Sequence, residues 1–267
     1  MTPEQTPEEL ETNPEWRDTL LGTSPILNRY RRLFRHIPSE PRCKVCLSPQ
    51  GGIGGPLMKV LGYGRYPPNP QLCNSCFRQA ESHPGGAEIE MAALFADVRG
   101  STGLAETMSP AAYSAAIAEY VQAASRAIRE PGGLVDKLLG DGVMALFVPG
   151  FVVGGDHAGA AVAAGREILR NVRLPVGIGV HTGPAWVGFV GGIDGVLDFT
   201  ALGDAVNVAS RLASEAAAGE LLLSHSTVVA AHVPTDRLAA RRLELRGRAE
   251  GLDAWSERFE PAPAAEA

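Results

Sequence analysis

The chain is short of several things that would place it quickly. Across 267 residues it carries only four cysteines, an aromatic fraction of 6% and a formal charge of -6. A net negative charge argues against a protein that coats nucleic acid through bulk electrostatics, so nucleic acid is not the expected partner. No apolar run reaches roughly eighteen residues, so no membrane span is expected. The stretch from Met1 to Trp16 is acidic and proline-rich, the reverse of a secretory signal, and the expected compartment is the cytoplasm.

The cysteines are spaced as Cys43-x-x-Cys46 and Cys73-x-x-Cys76. With no export signal, disulfides are disfavoured, whereas two such pairs offer four thiolates in the tetrahedral set Zn²⁺ prefers. An iron–sulfur cluster is the alternative that spacing cannot separate. The intervening glycines and prolines (Gly51 to Pro56, Pro67 to Pro70) make a poor core alone, so a metal would supply folding energy. His36 and His83 flank the pairs and are expected at the surface.

Composition shifts divide the chain. Residues 1–19 read as a disordered acidic N-terminus, 20–82 as a basic amphipathic helix plus the four-cysteine module, 83–86 as a linker, 87–258 as a larger α/β domain and 259–267 as a flexible tail. In the first helix Ile26, Leu27, Tyr30, Leu33, Phe34 and Ile37 recur at helical spacing, predicting a buried apolar face with Arg29, Arg31, Arg32 and Arg35 in solvent.

In the larger domain the apolar run Ile89 to Ala96 predicts a buried strand with Asp97 at its tip. Gly100-Ser101-Thr102 is a small-residue turn whose amides could cradle phosphate. Ser109-Pro110 predicts the start of a helix. Leu134–Gly140 and Val143–Val148 read as a hairpin placing Asp141 at a second tip, with Lys137 on the strand leading in. A helix is expected from Asp156, then strands at Pro175–Thr182 and Ala185–Val190. Phe199 to Leu212 reads as a strand end turning through Gly203-Asp204 into a helix that carries Asn207 and Arg211 on one face. On an apolar helix that reads as buried, such a pair calls for an anion. Leu221–Ser224 and Arg242–Leu245 read as strands, Thr227–Ala231 as a short helix, and Val233–Ala240 has no clear assignment.

Two carboxylates converging on one point, with phosphate-sized turns and cations nearby, suit Mg²⁺ and a nucleotide. Four stretches carry a more specific signal: Phe95-Ala96-Asp97-Val98-Arg99-Gly100-Ser101-Thr102, Lys137-Leu138-Leu139-Gly140-Asp141, Gly177-Ile178-Gly179-Val180-His181-Thr182-Gly183 and Leu202-Gly203-Asp204-Ala205-Val206-Asn207-Val208-Ala209-Ser210-Arg211-Leu212. In this order, over 87 to about 258, the chain resembles the catalytic domain of class III nucleotidyl cyclases, the adenylate and guanylate cyclases.

The resemblance implies a ferredoxin-like α/β core and a head-to-tail homodimer with two sites. It implies two Mg²⁺ or Mn²⁺ ions per site on Asp97, Asp141 and the Val98 carbonyl, with the Gly100, Ser101 and Thr102 amides near the triphosphate of ATP. Lys137 and Thr200 would read the purine, Asn207 would orient the ribose, Arg211 would hold charge on the α-phosphate, and Arg246 stands where the family often has a cation for the terminal phosphates. Many members carry Asp at the place of Thr200, and an aromatic residue at that of Ser101. The expected activity is conversion of ATP to cyclic AMP, regulated through the four-cysteine module by a ligand or protein. The alternatives are guanylate cyclase activity, or a non-catalytic cyclase-fold dimer whose module binds nucleic acid or a protein.

Overall fold

The computed structural model describes residues 13–37, 39, 41–67, 69–82, 85–191, 197–244 and 251–260. The described chain falls into two units, one of residues 1–89 and 186–201, the other of 90–185 and 202–267. Residues 186–201 cluster with the N-terminal part.

The first unit begins with helix α1 (Pro14–Leu21), where the sequence suggests disorder through residue 19. The local signals explain the helix: Asn13 caps it by accepting from the Glu15 amide at 3.0 Å, and Pro14 starts it. Trp16 and Leu20, four apart, are buried on one face, and Trp16 packs on Phe189 with centroids 5.2 Å apart. Residues 1–12 lie outside the described set.

Helix α2 (Pro25–Arg35) departs from the expected register. Phe34 is buried as predicted, but Ile26 and Leu33 are 71% and 61% exposed while Arg31 is only 5% exposed. The reversal has a polar cause: the Arg31 guanidinium turns inward to donate to the Val45 carbonyl at 2.5 Å. Helix α3 (Gly54–Val60), strands β1 (Arg65–Tyr66) and β2 (Asn69–Cys73), and helix α4 (Asn74–Ser82) complete the module. Of the expected linker, residues 83 and 84 are outside the described set, and Gly86 already belongs to strand β3 (Gly86–Val98).

The second unit is built on a sheet. After β3 come helices α5 (Ser101–Thr107) and α6 (Pro110–Arg129), the hairpin β4 (Leu134–Leu139) and β5 (Gly142–Phe147), and helix α7 (His157–Asn171). Ser109 and Asp156 cap α6 and α7 by accepting from Ala112 and Gly159 amides. Strand β6 (Val176–Gly191) runs unbroken where two strands are expected, continuing through Pro184. Strand β7 (Leu197–Leu202), helix α8 (Asp204–Glu215), strand β8 (Glu220–Ser224), helix α9 (His225–Ala230) and strands β9 (Ala239–Leu243) and β10 (Leu252–Arg258) follow. The sequence reading has no counterpart for β10.

The strand order is β4-β5-β3-β6-β8-β10-β9, with β7 pairing β6. Strand β8 lies parallel to β6 and antiparallel to β10. Its consecutive leucines serve opposite faces, as the pleat requires. Leu221 and Leu223 join Tyr120, Ile128, Phe147, Ile168 and Ile178 in the core with α6 and α7, while Leu222 joins Val208, Leu212 and Ala216 of the α8 side. Helix α8 can approach β6 because of Gly177 and Gly179. A Cβ on Gly179 would run into the Ala213 nitrogen and the Ala209 carbonyl oxygen, and one on Gly177 would meet the Ala216 carbonyl at 2.6 Å. Among the described residues no helix is long and apolar enough to cross a membrane.

Candidate active site and metal centre

In the second unit, register brings the two strand-tip carboxylates together. Asp97 of β3 stands opposite Gly142 of β5, and Asp141 is in the two-residue turn that joins β4 to β5. Gly140 takes φ 66, which lets the strands reverse over Gly140-Asp141. Asp97 feels its neighbour. Burial raises Asp97 above the ordinary aspartate range and the charge of Asp141 adds to this, against the opposing pull of Arg99. Beneath them Tyr120 donates to the Ala96 carbonyl at 2.9 Å, and burial together with both carboxylates raises its hydroxyl far above the usual phenol range.

Arg99 is a member of this site that sequence reasoning missed. Its backbone N–H donates to the Pro175 carbonyl at 2.6 Å, fixing the turn after β3. Its guanidinium ion-pairs with the Asp97 carboxylate and also donates to the Ser214 carbonyl, at 3.1 Å, in the last turn of α8. The one signal for it was a cation two residues beyond a strand-tip aspartate, which is also the spacing of an ordinary surface pair.

Val98 is buried at the strand end, and Gly100, at φ 65, precedes α5, whose N-terminus no side chain caps. Ser101 and Thr102 form its first turn. Lys137 is half-buried on β4, with its ammonium 3.2 Å from Asp136, whose carboxylate is fully buried. Asp136 is a second residue the sequence reading passed over. On α8, Asn207 is exposed and Arg211 half-buried, while Ala205, Val208, Ala209, Leu212 and Ala213 face the core. The two polar residues thus border solvent rather than lying in the expected buried face, and within one chain, among the described residues, neither hydrogen-bonds or ion-pairs with Asp97 or Asp141. Thr200 is buried in β7. Arg246 lies outside the described residues.

The first unit assembles all four cysteines. Cys43 to Cys46 form a tight turn, closed by Leu47 N–H to the Cys43 carbonyl at 3.1 Å and Cys43 N–H to the Ser48 carbonyl at 3.0 Å. Leu47 adopts φ 63, the left-handed conformation the turn demands of a non-glycine residue. Cys73 ends β2 and Cys76 sits in the first turn of α4. The four sulfurs lie within 4.8 Å of one another and all four residues are buried; Cys46 and Cys73 Sγ are 3.6 Å apart. Backbone N–H groups of Cys73 and Cys76 point at the sulfurs of Cys43 and Cys73, at 3.3 and 3.4 Å. Hydrogen bonds from Cys43, Cys46 and Cys76 hold the Cys73 thiol far below the ordinary range, while burial pushes Cys43 up. Burial also lowers the Arg31 guanidinium to about 10, with Arg35 adding and the nearby cysteine charges opposing. Four soft donors this close can surround one metal ion.

Comparison with known proteins bears above all on the carboxylate site of the second unit. The family model described as the adenylate and guanylate cyclase catalytic domain matches residues 87–253. An adenylate cyclase of Anabaena cylindrica is 31% identical over 181 residues, which is 62% of this chain and 36% of that protein, so the chain matches about a third of this relative. Among solved structures, the guanylyl cyclase Cya2 is similar with a TM-score of 0.57 and 28% identity, over 65% of this chain and 95% of that one. The adenylyl cyclase CyaB from P. aeruginosa gives a TM-score of 0.55 and 27% identity, over 66% and 98%.

Proposed function

The chain belongs to the adenylate and guanylate cyclase catalytic domain family, and from that premise we propose that it converts ATP to 3′,5′-cyclic AMP and pyrophosphate as a cytoplasmic head-to-tail homodimer. The observation that carries this reading is the pairing of Asp97 with the Gly140-Asp141 turn. Two hard oxygen donors brought together, with burial and the Asp141 charge opposing the ionisation of Asp97, fit Mg²⁺ or Mn²⁺. Asp97, Asp141 and the Val98 carbonyl would hold two such ions. When bound, these supply charge at the phosphate oxygens and acidify the ribose 3′-hydroxyl.

The protein's own groups then divide the work. The amides of Gly100, Ser101 and Thr102 hold the triphosphate, and Arg246 extends that hold. Asn207 orients the ribose so that its 3′-oxygen faces the α-phosphorus. As the O3′–Pα bond forms and the bond to pyrophosphate breaks, Arg211 balances charge on the α-phosphate. Asn207 and Arg211 border solvent and do not touch the carboxylates of their own chain, which supports a site completed by a second copy.

Lys137 and Thr200 are the purine readers. An ammonium donates to adenine N1, whereas guanine carries a hydrogen there, and a threonine hydroxyl accepts from the adenine amino group. Purified protein with Mn²⁺ or Mg²⁺ should form cyclic AMP from ATP faster than cyclic GMP from GTP. Equal or preferred use of GTP would replace the adenylate reading with guanylate cyclase activity, and no product from a dimeric, metal-loaded sample would leave the non-catalytic alternative.

In the four-cysteine centre we assign one zinc ion. The edge of a tetrahedron with ~2.3 Å zinc–sulfur arms is about 3.8 Å, close to the 3.6 Å between Cys46 and Cys73. An iron–sulfur cluster distributes its thiolates over separate irons and needs some of them farther apart than the 4.8 Å within which all four sulfurs lie. The module would regulate the cyclase. Arg31 and Arg42 direct their guanidiniums to backbone carbonyls, which thins the basic surface a nucleic-acid-binding module would need. Metal analysis and an absorption spectrum decide, since a cluster is coloured and zinc is not.

A further inference from the structure

Beside the four-cysteine centre is a cavity of about 380 Å³, and two of the cysteines, Cys46 and Cys76, are part of its wall. Its volume is in the range of small-molecule sites. We propose that this cavity binds a small organic cation, an ammonium group carried on an apolar body; the inference rests on the zinc-thiolate reading of the centre.

Charge is the first reason. Four thiolates around Zn²⁺ leave the centre with two negative charges, and Glu15 and Asp18 add carboxylates from α1. These two stand three residues apart and so share one helix face. The Asp18 carboxylate is held in place by the Thr23 hydroxyl, 2.8 Å from Oδ1. Among the described lining residues there is no lysine, arginine or histidine. Arg31, which feels the charge of the cysteines, does not line the cavity and gives its guanidinium to the Val45 carbonyl.

Aromatic rings are the second reason. Trp16, Tyr30 and Tyr63 line the cavity, and ring faces attract cations through their quadrupole. Trp16 is braced by Phe189, and Tyr63 lies 6.2 Å from Tyr30 and 5.3 Å from Phe34, centroid to centroid. Burial and the neighbouring Tyr30 push the Tyr63 hydroxyl up to about 12, so the ring stays a neutral phenol. An anionic metabolite would meet only like charge. A bare divalent ion would leave the three rings and the aliphatic side chains of the wall without a partner. An alkylated ammonium satisfies both halves of the wall.

The experiment uses the full chain loaded with zinc and titrates choline against its neutral carbon isostere, 3,3-dimethylbutan-1-ol, by calorimetry and tryptophan fluorescence. Saturable choline binding, roughly tenfold or more tighter than the isostere, is the expected result. Glu15→Gln with Asp18→Asn, which keeps the acceptor for Thr23, should weaken choline by about tenfold and leave the circular dichroism unchanged. Tyr63→Leu should weaken it independently. Absence of saturable binding, equal binding of the isostere, or indifference to the carboxamide pair overturns the proposal. Zinc content and ATP turnover of the same sample are measured alongside, so failure in zinc-loaded, active protein counts against the cavity alone.

Discussion

The four-cysteine centre and the carboxylate pair are both set where a strand gives way to a turn or helix, yet one is closed and the other open. The cysteines bring four donors within 4.8 Å of each other, all buried, with backbone N–H groups already aimed at sulfur. The carboxylates bring two, with 44% of the Asp97 side chain still exposed and a guanidinium as its partner. A closed donor set satisfies a bound ion and leaves no place for a substrate, so an ion bound there would serve folding. An open one withholds stability and leaves coordination positions for phosphate. The difference is tested most forcefully by taking each apart.

Removing the zinc proposed for the cysteine centre has the largest expected effect. Structural zinc sites contribute on the order of 10 kcal/mol to folding, and the module's own glycine- and proline-rich segments cannot replace that. Chelation, or Cys73→Ser, should abolish hydrogen-exchange protection across residues 41–82. Unchanged protection and unchanged protease resistance would mean that the centre is not what holds the module.

Asp97→Ala should behave in the opposite way. Cyclase turnover is expected to fall about a thousandfold or more, while the melting temperature holds or rises, because burial already opposes the charge of Asp97. Mixing this variant with Arg211→Ala should restore part of the activity if each site takes its carboxylates from one copy and its arginine from the other. Strict inactivity of the mixture would count against the shared site.

Legibility in the sequence followed the same division. Four cysteines in two pairs announce a closed centre because every ligand is a rare residue at fixed spacing. Asp97, Asp141, Asn207 and Arg211 were visible because strand tips and helix faces are periodic features. What escaped depended on tertiary partners. Arg31 reads as a surface cation until Val45 is seen beneath it, and α1 reads as an acidic tail until Trp16 meets Phe189. Strand β10 was missed because Leu252 to Arg258 alternates weakly and gains its identity from pairing with β8 and β9.

Helix α8 offers a test of how the open site is held. Gly179→Ala would press a methyl into the backbone at Ala213 and Ala209, and these atoms cannot swing aside as a side chain can. Overpacking of this kind costs ~1–3 kcal/mol, and displacement of α8 should lower turnover together with the melting temperature. A drop in turnover with no change in melting would mean that α8 shifts freely.

A smaller effect is expected at Glu220, buried at the start of β8. Burial opposes its charge, but the Ala217 amide, the Ser256 hydroxyl, Arg241 and Arg258 outweigh this and hold the carboxyl below its ordinary 4.5. A carboxylate lowered by folding stabilises above its unfolded value and loses that contribution as pH falls through its folded value. Glu220→Gln should cost ~1–2 kcal/mol near neutral pH and flatten the loss of melting temperature below pH 4.5. An unchanged acid limb would remove Glu220 from the account.

The mildest perturbation is the most telling about the open site. Arg99 occupies the Asp97 carboxylate and reaches the Ser214 carbonyl, so one side chain joins the metal position proposed at Asp97 to the end of the helix that carries Asn207 and Arg211. A divalent ion arriving at Asp97 must displace or share that guanidinium. Arg99→Gln removes the competing charge and should tighten Mn²⁺ binding a few-fold, about what a partly exposed ion pair is worth. Arg99→Lys keeps the charge but not the two-pronged reach, so it should leave Mn²⁺ affinity near the parent value while loosening α8. Electron paramagnetic resonance of free Mn²⁺, recorded without nucleotide, reads the affinity directly, and hydrogen exchange over residues 204–215 reads the helix. Weaker Mn²⁺ binding in Arg99→Gln would reverse the assignment, making the arginine a support that shapes the carboxylate for the ion rather than one that holds the place until the ion comes.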